Sequence, residues 1–161
     1  MNAEKDAAAL LEATWSGRGM PVDPVQIADQ LGLDVLVTDL PEDVSGALIK
    51  ERDQDPVILL NQGDSRNRQR FTCAHELGHY IQKSQNDGED YEYIDLRGQL
   101  AKTGQDTDEV YANNFAANLL MPKAAVCALH EQKVPSFIMA LKFQVSDDAM
   151  RYRLKNLGLR R

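Results

Sequence analysis

Cysteine, histidine and long apolar runs are scarce in this sequence of 161 residues. The first residues lack the basic start and apolar core of a signal peptide, and no apolar run approaches the roughly 20 residues that cross a bilayer. We therefore expect a cytoplasmic protein with no membrane segment. The two cysteines, Cys73 and Cys127, would then be reduced, and each is expected to be a small buried hydrophobe without chemistry.

Positive charge is also in short supply, since 18 basic residues face 25 acidic ones and the formal net charge is −7. An acidic body is repelled by a nucleic-acid duplex, so direct nucleic-acid binding is not expected. The charge is uneven along the chain. Residues 85–109 hold eight acids against two bases, whereas residues 134–161 hold six bases against two acids. The basic stretch leaves a local exception open.

The hydrophobic pattern predicts a single α+β domain over residues 1–161, with a helical hairpin over about 134–161 as part of it. Three short strands should form a small, antiparallel sheet. Residues 84–105 are rich in turn formers and indicate a long loop. The predicted strands are 33–38, 46–51 and 56–60, and the predicted helices are 4–15, 24–32, 65–83, 107–121, one from Pro122 and two in the hairpin.

The chemistry-bearing motif is the run His75-Glu76-Leu77-Gly78-His79, which the pattern places on a helix. Residues four apart on a helix share one face, so His75 and His79 can direct two imidazoles at one metal ion. Glu76 then lies beside the metal without ligating it and can take a proton from water. Two histidines can flank a glutamate by chance, but the chain has only three histidines in all. The motif therefore predicts a Zn²⁺ peptidase site with Glu76 as the catalytic base.

A catalytic zinc needs a third protein ligand. A pattern with a third histidine six residues after His79 is excluded, because position 85 is Gln85. We therefore expect a carboxylate. The candidates are the acids that follow the motif: Asp87, Glu89, Asp90, Glu92, Asp95, Asp106, Asp108 and Glu109.

Helical geometry favours Glu109 among these acids. At 100° per residue, Glu109 and Asn113 share a stripe with Ala112 and Ala116, a face that otherwise looks buried. A cation would offset the cost of burying the carboxylate, and Asn113 could orient a ligating histidine. The competing interpretation is a capping box in which Glu109 only satisfies the helix start at Asp106.

Two segments, Arg70 to His79 and Glu109 to Pro122, resemble the ImmA/IrrE family of metallopeptidases. The similarity extends over nearly the whole chain. It includes four further short stretches: Pro21-Val22-Asp23, Asn61, Phe143-Gln144-Val145-Ser146 and Arg153-Leu154.

The resemblance implies a zincin-like fold, zinc held by His75, His79 and Glu109, and Glu76 as the base. It also implies that the substrate or partner is a helix-turn-helix (Xre-like) repressor or antitoxin, inactivated in mobile-element, stress-response or toxin–antitoxin regulation. The stretch after His79 lacks the further histidine often seen in the family. The chain also ends soon after the catalytic region, so regulation is expected to come from outside it.

Several alternatives remain open at this level. The same ligands could stabilise a non-catalytic protein that sequesters a regulator. Residues 137–157 could be a DNA-reading helix-turn-helix, with basic residues on its second helix (Arg151, Arg153 and Lys155). The donor for the oxyanion is equally undecided among Tyr80, Tyr91, Tyr93, Tyr111 and His130.

Overall fold

The computed structural model describes residues 1–87, 93–97 and 106–159. Within these ranges the chain forms seven helices and four strands. In chain order they are α1 (Ala3–Trp15), α2 (Pro24–Gln30), β1 (Asp34–Thr38), β2 (Gly46–Lys50), β3 (Val57–Asn61), α3 (Arg66–Asp87), β4 (Tyr93–Arg97), α4 (Thr107–Leu120), α5 (Lys123–Glu131), α6 (Ser136–Phe143) and α7 (Asp147–Asn156). The predicted α+β class is confirmed.

Helix boundaries follow the capping signals of the sequence. Asp23 caps α2 by accepting a hydrogen bond from the Val25 amide at 3.0 Å, and Pro24 occupies the first turn. Ser146 caps α7 in the same way through the Ala149 amide. Gly158 follows that helix at a φ of +70°, a left-handed conformation that favours glycine. Local capping chemistry therefore sets these ends.

The sheet differs from the predicted antiparallel three-stranded one. All three predicted strands are present, but the order is β1-β3-β2-β4, with β1 and β3 parallel and the other pairs antiparallel. The connection from β1 to β2 is fastened by Asn61, at the end of β3. Its Nδ2 lies within hydrogen-bonding distance of the carbonyls of Leu40, Pro41 and Val44, the last at 2.8 Å. The chain leaving β1 is therefore held across the end of β3 before it enters β2.

The predicted loop over residues 84–105 is also corrected. Its first four residues, 84–87, continue α3, and residues 93–97 form β4, which pairs with β2. The sequence carries a weak signal for β4, because apolar Ile94 and Leu96 alternate with Tyr93, Asp95 and Arg97. The remaining parts of that loop, 88–92 and 98–105, lie outside the described residues.

Helix α3 packs between the sheet and α4, and this packing positions the histidine motif. The two helices approach closely at Gly78, where an added Cβ would lie 3.1 Å from both Ala112 Cα and Phe115 Cβ. Glycine and alanine at this crossing let the two backbones lie close together. Nothing in the described ranges forms a helix long and apolar enough to cross a membrane.

Two buried arginines connect the C-terminal helices to this framework. Arg70 on α3 donates to the carbonyls of Val22 and Gln144, at 2.6 and 3.2 Å. Arg153 on α7 donates to the carbonyl of Met121 at 3.0 Å and to Asn118 Oδ1 at 2.7 Å. The carbonyls of Gln144 and Met121 lie at the C-terminal ends of α6 and α4, where backbone acceptors lack partners within the helix, and that of Val22 lies just before α2. The arginines thus fix α6 and α7 against α3 and α4.

Candidate metal centre

Three side chains from α3 and α4 converge on one point. His75 and His79 are 0% and 2% exposed, and the Glu109 side chain is 13% exposed. His79 Nε2 lies 3.0 Å from His75 Nε2 and 3.0 Å from Glu109 Oε1. His75 Nε2 lies 3.4 Å from Glu109 Oε2. Of the described residues, these are the group whose donor atoms could hold a metal ion.

The spacing fits tetrahedral coordination. Two nitrogen or oxygen atoms that each lie about 2.1 Å from one tetrahedral ion are about 3.4 Å apart. The two imidazole nitrogens are 3.0 Å apart, and each lies near one oxygen of the Glu109 carboxylate, at 3.0 Å (Oε1) and 3.4 Å (Oε2), so the separations are close to this value. Two imidazoles and one carboxylate leave a fourth position for water, which is the donor set of an open metal site.

Hydrogen bonding from outside the group prepares His75 for this role. Its Nδ1 lies 3.0 Å from Asn113 Oδ1, so the ring donates from Nδ1 and its Nε2 is the nitrogen left to bind a metal ion. The imidazoles of His75 and then His79 hold the pKa of the Glu109 carboxyl well below its usual range by hydrogen bonding. An anionic carboxylate that faces two imidazole nitrogens suits a cation.

The capping-box interpretation of Glu109 does not describe this geometry. Asp106 caps α4 with its own side chain, which accepts from the Asp108 amide at 2.9 Å. Both Glu109 oxygens instead face the histidines. Asp108 accepts a hydrogen bond from Gln82 Nε2 at 2.8 Å. The side chains of the five other acids considered as ligands, Asp87, Glu89, Asp90, Glu92 and Asp95, lie outside the described part of the chain.

Comparison with protein families bears directly on this site. Residues 28–155 match the Peptidase_M78 model, described as the IrrE N-terminal-like domain. The chain belongs to this family. Its membership confirms the resemblance predicted from the sequence, and the α+β architecture agrees with a zincin-like fold. No curated protein matches the chain significantly.

The fold of this Peptidase_M78 member is similar to a solved structure, that of a Mycobacterium tuberculosis transcriptional regulator, with a TM-score of 0.62 and 18% sequence identity. The alignment covers 96% of this chain and 52% of the regulator, so the chain spans about half the length of that protein. At this identity the similarity describes the fold alone.

Glu76, the predicted base of this Peptidase_M78 chain, is 1% exposed and follows the first histidine directly. Buried Thr72 lies one turn earlier on α3. The backbone of β2 closes over both: a Cβ added at Gly46 would overlap Thr72 Cγ2 and lie 3.8 Å from Glu76 Oε1. Sequence reasoning missed Gly46, the first residue of β2, although a glycine in a strand can indicate close backbone approach.

The Gly46 contact predicts a loss of stability on a small substitution. Gly46→Ala would also place its Cβ 2.7 Å from the Leu59 carbonyl oxygen, a backbone atom of the paired strand. We expect the free energy of unfolding to fall by about 1–3 kcal/mol, measured by urea denaturation. Gly19→Ala is the matched control, because no atom lies within 4 Å of its added Cβ. Equal stability of the two variants would contradict the proposed packing.

The structure places two of the five candidate oxyanion donors away from the candidate metal ligands His75, His79 and Glu109. Tyr111 is 8% exposed, and its hydroxyl donates to Asp6 on α1 at 2.7 Å. His130 lies on α5 and lines a cavity with α6 and α7. Tyr80 packs against the hydrophobic core. The side chains of Tyr91 and Tyr93 lie outside the described residues.

The basic face predicted for a DNA-reading α7 is reduced by the fold. Arg153 is 7% exposed and is held by the Met121 carbonyl and Asn118. Arg151 pairs with Asp147 one turn earlier, at 2.8 Å. Of the three bases on this helix, one is therefore removed from the surface and a second is partly neutralised.

Proposed function

We propose that this chain is a zinc-dependent endopeptidase, with His75, His79 and Glu109 as the metal ligands and Glu76 as the catalytic base. The observation that carries the proposal is the convergence of two imidazoles and an ionised carboxylate at tetrahedral spacing, next to a buried glutamate. Membership of the Peptidase_M78 family supports the same chemistry.

Each residue of the site has a distinct task in this mechanism. Bound zinc supplies Lewis acidity, which lowers the pKa of water and polarises a peptide carbonyl. Glu76 takes the proton of the attacking water on its carboxylate and later gives it to the leaving amine. Asn113 holds the His75 ring in one tautomer and orientation through Nδ1. The β2 backbone at Gly46 keeps the space around Glu76 narrow.

We further propose that the substrate is a helix-turn-helix transcriptional regulator, a repressor or an antitoxin of the Xre-like type. Family membership supports a link to regulation, and the similar mycobacterial structure is itself described as a transcriptional regulator. The acidic body of this chain, with a net charge of −7, is complementary to the basic surface by which such regulators bind DNA.

The experiment that tests this function is incubation of the protein with a helix-turn-helix regulator encoded beside it. We expect defined fragments by mass spectrometry, loss of cleavage when a chelator removes the metal, and recovery when zinc is restored, because the ligand set alone cannot activate water. Cleavage that persists in the metal-free protein would contradict the proposal.

A second candidate is a zinc-stabilised protein that binds a regulator without cutting it. The same three ligands would serve this role, and ligand burial also favours a structural contribution from the metal. The two candidates differ in Glu76, which a purely structural site does not need.

A further inference from the structure

We infer that a groove between α3, α4 and α7 is the substrate-binding subsite of this peptidase, and that it receives a large apolar side chain of the peptide. The inference rests on the proposed function and names the recognition chemistry of the same site. The groove consists of two adjoining cavities of about 330 and 360 Å³ that share Phe71 and Ala149. Cavities of this size match those that bind small ligands.

Asn113 connects the groove to the candidate metal centre. This asparagine lines the 330 Å³ cavity, and its Oδ1 accepts the hydrogen bond from His75 Nδ1. Phe71, which lines both cavities, lies one helical turn before His75 on α3. A ligand in the groove therefore lies directly beside the residue that orients the first histidine.

The lining specifies an apolar side chain attached to a polar backbone. Phe71, Ala117, Met121 and Ala149 form an apolar wall, and Tyr152, which is 67% exposed, stands at its edge. Small alanines leave the room that a leucine or phenylalanine side chain fills. The exposed amides of Asn113 and Asn114 border the same cavity. Since Asn113 Oδ1 faces His75, its Nδ2 is the atom that can donate to a peptide carbonyl.

The occupant is a peptide segment rather than a free metabolite. Two successive cavities on either side of Phe71 and Ala149 match side chains two positions apart, which lie on the same face of one extended segment. Asp148 and Arg153 line the first cavity, and Arg68 lines the second. Arg153 is buried against Met121 and Asn118, and Arg68 pairs with Asp64 at 3.2 Å, so the exposed Asp148 favours a basic or neutral residue of the peptide over an acidic one. The apolar wall and Asp148 together suit a segment of a basic regulator.

The test measures binding without cleavage, in the zinc-loaded Glu76→Gln protein. The probes are two blocked pentapeptides, acetyl-Gly-Gly-Phe-Gly-Gly-amide and the same peptide with Ala in place of Phe. We expect the Phe peptide to bind at least about tenfold more tightly, because burial of a phenylalanine side chain is worth at least that factor. In NMR spectra it should shift the backbone amides of Ala117 and Ala149 and the side-chain amide of Asn113.

A variant whose groove is filled by a large side chain is compared with a variant that carries the same substitution elsewhere on the surface. Ala149→Trp should abolish the preference for Phe, whereas Ala8→Trp, on the exposed face of α1, should retain it. If Ala149→Trp does not fold, Tyr152→Ala replaces it and should weaken the Phe peptide severalfold. Equal binding of the two peptides, or Phe-dependent shifts confined to the exposed apolar residues Phe137 and Leu141 of α6, would overturn the inference.

The outcomes separate this inference from the proposed function. If the zinc-loaded wild type cleaves nothing while the Phe peptide still binds in the groove, the peptidase proposal fails, and the groove remains supported as a peptide-binding site. If the wild type cleaves its regulator and Ala149→Trp does so with unchanged KM, the peptidase stands and the groove is not its subsite.

Discussion

Glu76→Gln is expected to lower the rate of regulator cleavage by about 10²- to 10⁴-fold, the usual contribution of a positioned general base. Glutamine has nearly the same shape as glutamate and leaves the packing against Thr72 and β2 in place, but its amide cannot take the proton of water. The metal content should not change, because Glu76 is outside the group of ligating side chains. Single-turnover cleavage and metal analysis of the same sample measure the two quantities.

Glu12→Gln is the matched control, since it makes the same chemical change on the exposed face of α1. It should cleave as the wild type does. A Glu76→Gln protein that retains zinc and also cleaves at the wild-type rate would contradict the role of Glu76. One that cleaves nothing and yet relieves repression fully would instead favour the regulator-binding candidate.

The local parts of the fold could be predicted because the signals that determine them are local. An N-cap at Asp23 followed by Pro24, and the cap at Ser146, set helix starts within a few residues of sequence. The histidine spacing likewise fixes two side chains on one helical face. Glu109 could be favoured over its neighbours because helical periodicity ties it to Asn113, and the structure brings both to the histidines.

The parts that could not be predicted depend on contacts between distant residues. The parallel pairing of β1 with β3 is accompanied by the Asn61 side chain, which holds the segment that leads to β2 through a contact across about 20 residues of sequence. Arg70 and Arg153 look like surface charges in the sequence, yet they are buried against carbonyls 32 to 74 positions away. Burial of an arginine depends on acceptors that only the folded chain supplies.

The groove beside the candidate metal ligands also depends on contacts between residues that are distant in the sequence. In the sequence, Phe71 belongs to a predicted amphipathic helix and Ala149 to the predicted C-terminal hairpin. They line the same groove only because α7 docks onto α3 and α4. Arg153 provides that docking through Met121. Helix α7 therefore forms a wall of the candidate subsite, and its docking explains the buried Arg153 better than contact with DNA does.

Glu109→Gln is expected to weaken zinc binding more than about 100-fold. Loss of a hydrogen bond between a metal ligand and a residue that does not itself bind the metal costs about 10- to 100-fold, and loss of a ligand should cost more. The reason is that the variant loses an anionic ligand whose pKa the two histidines hold low, and keeps only the imidazoles. Competition with a chromophoric chelator measures the affinity. The rise in Tm that zinc gives the wild type should also shrink, because stabilisation by a ligand follows its affinity.

Two further variants show whether this loss reflects ligation. Asn113→Ala removes only the acceptor of His75 Nδ1 and should weaken zinc by about 10- to 100-fold, less than Glu109→Gln. Asp108→Asn removes the same charge from the same helical turn, but its carboxylate bonds Gln82 instead of facing the histidines. It should leave zinc affinity nearly unchanged. If Asp108→Asn and Glu109→Gln lower the affinity equally, the helix start and its charge, rather than coordination, would account for the role of Glu109.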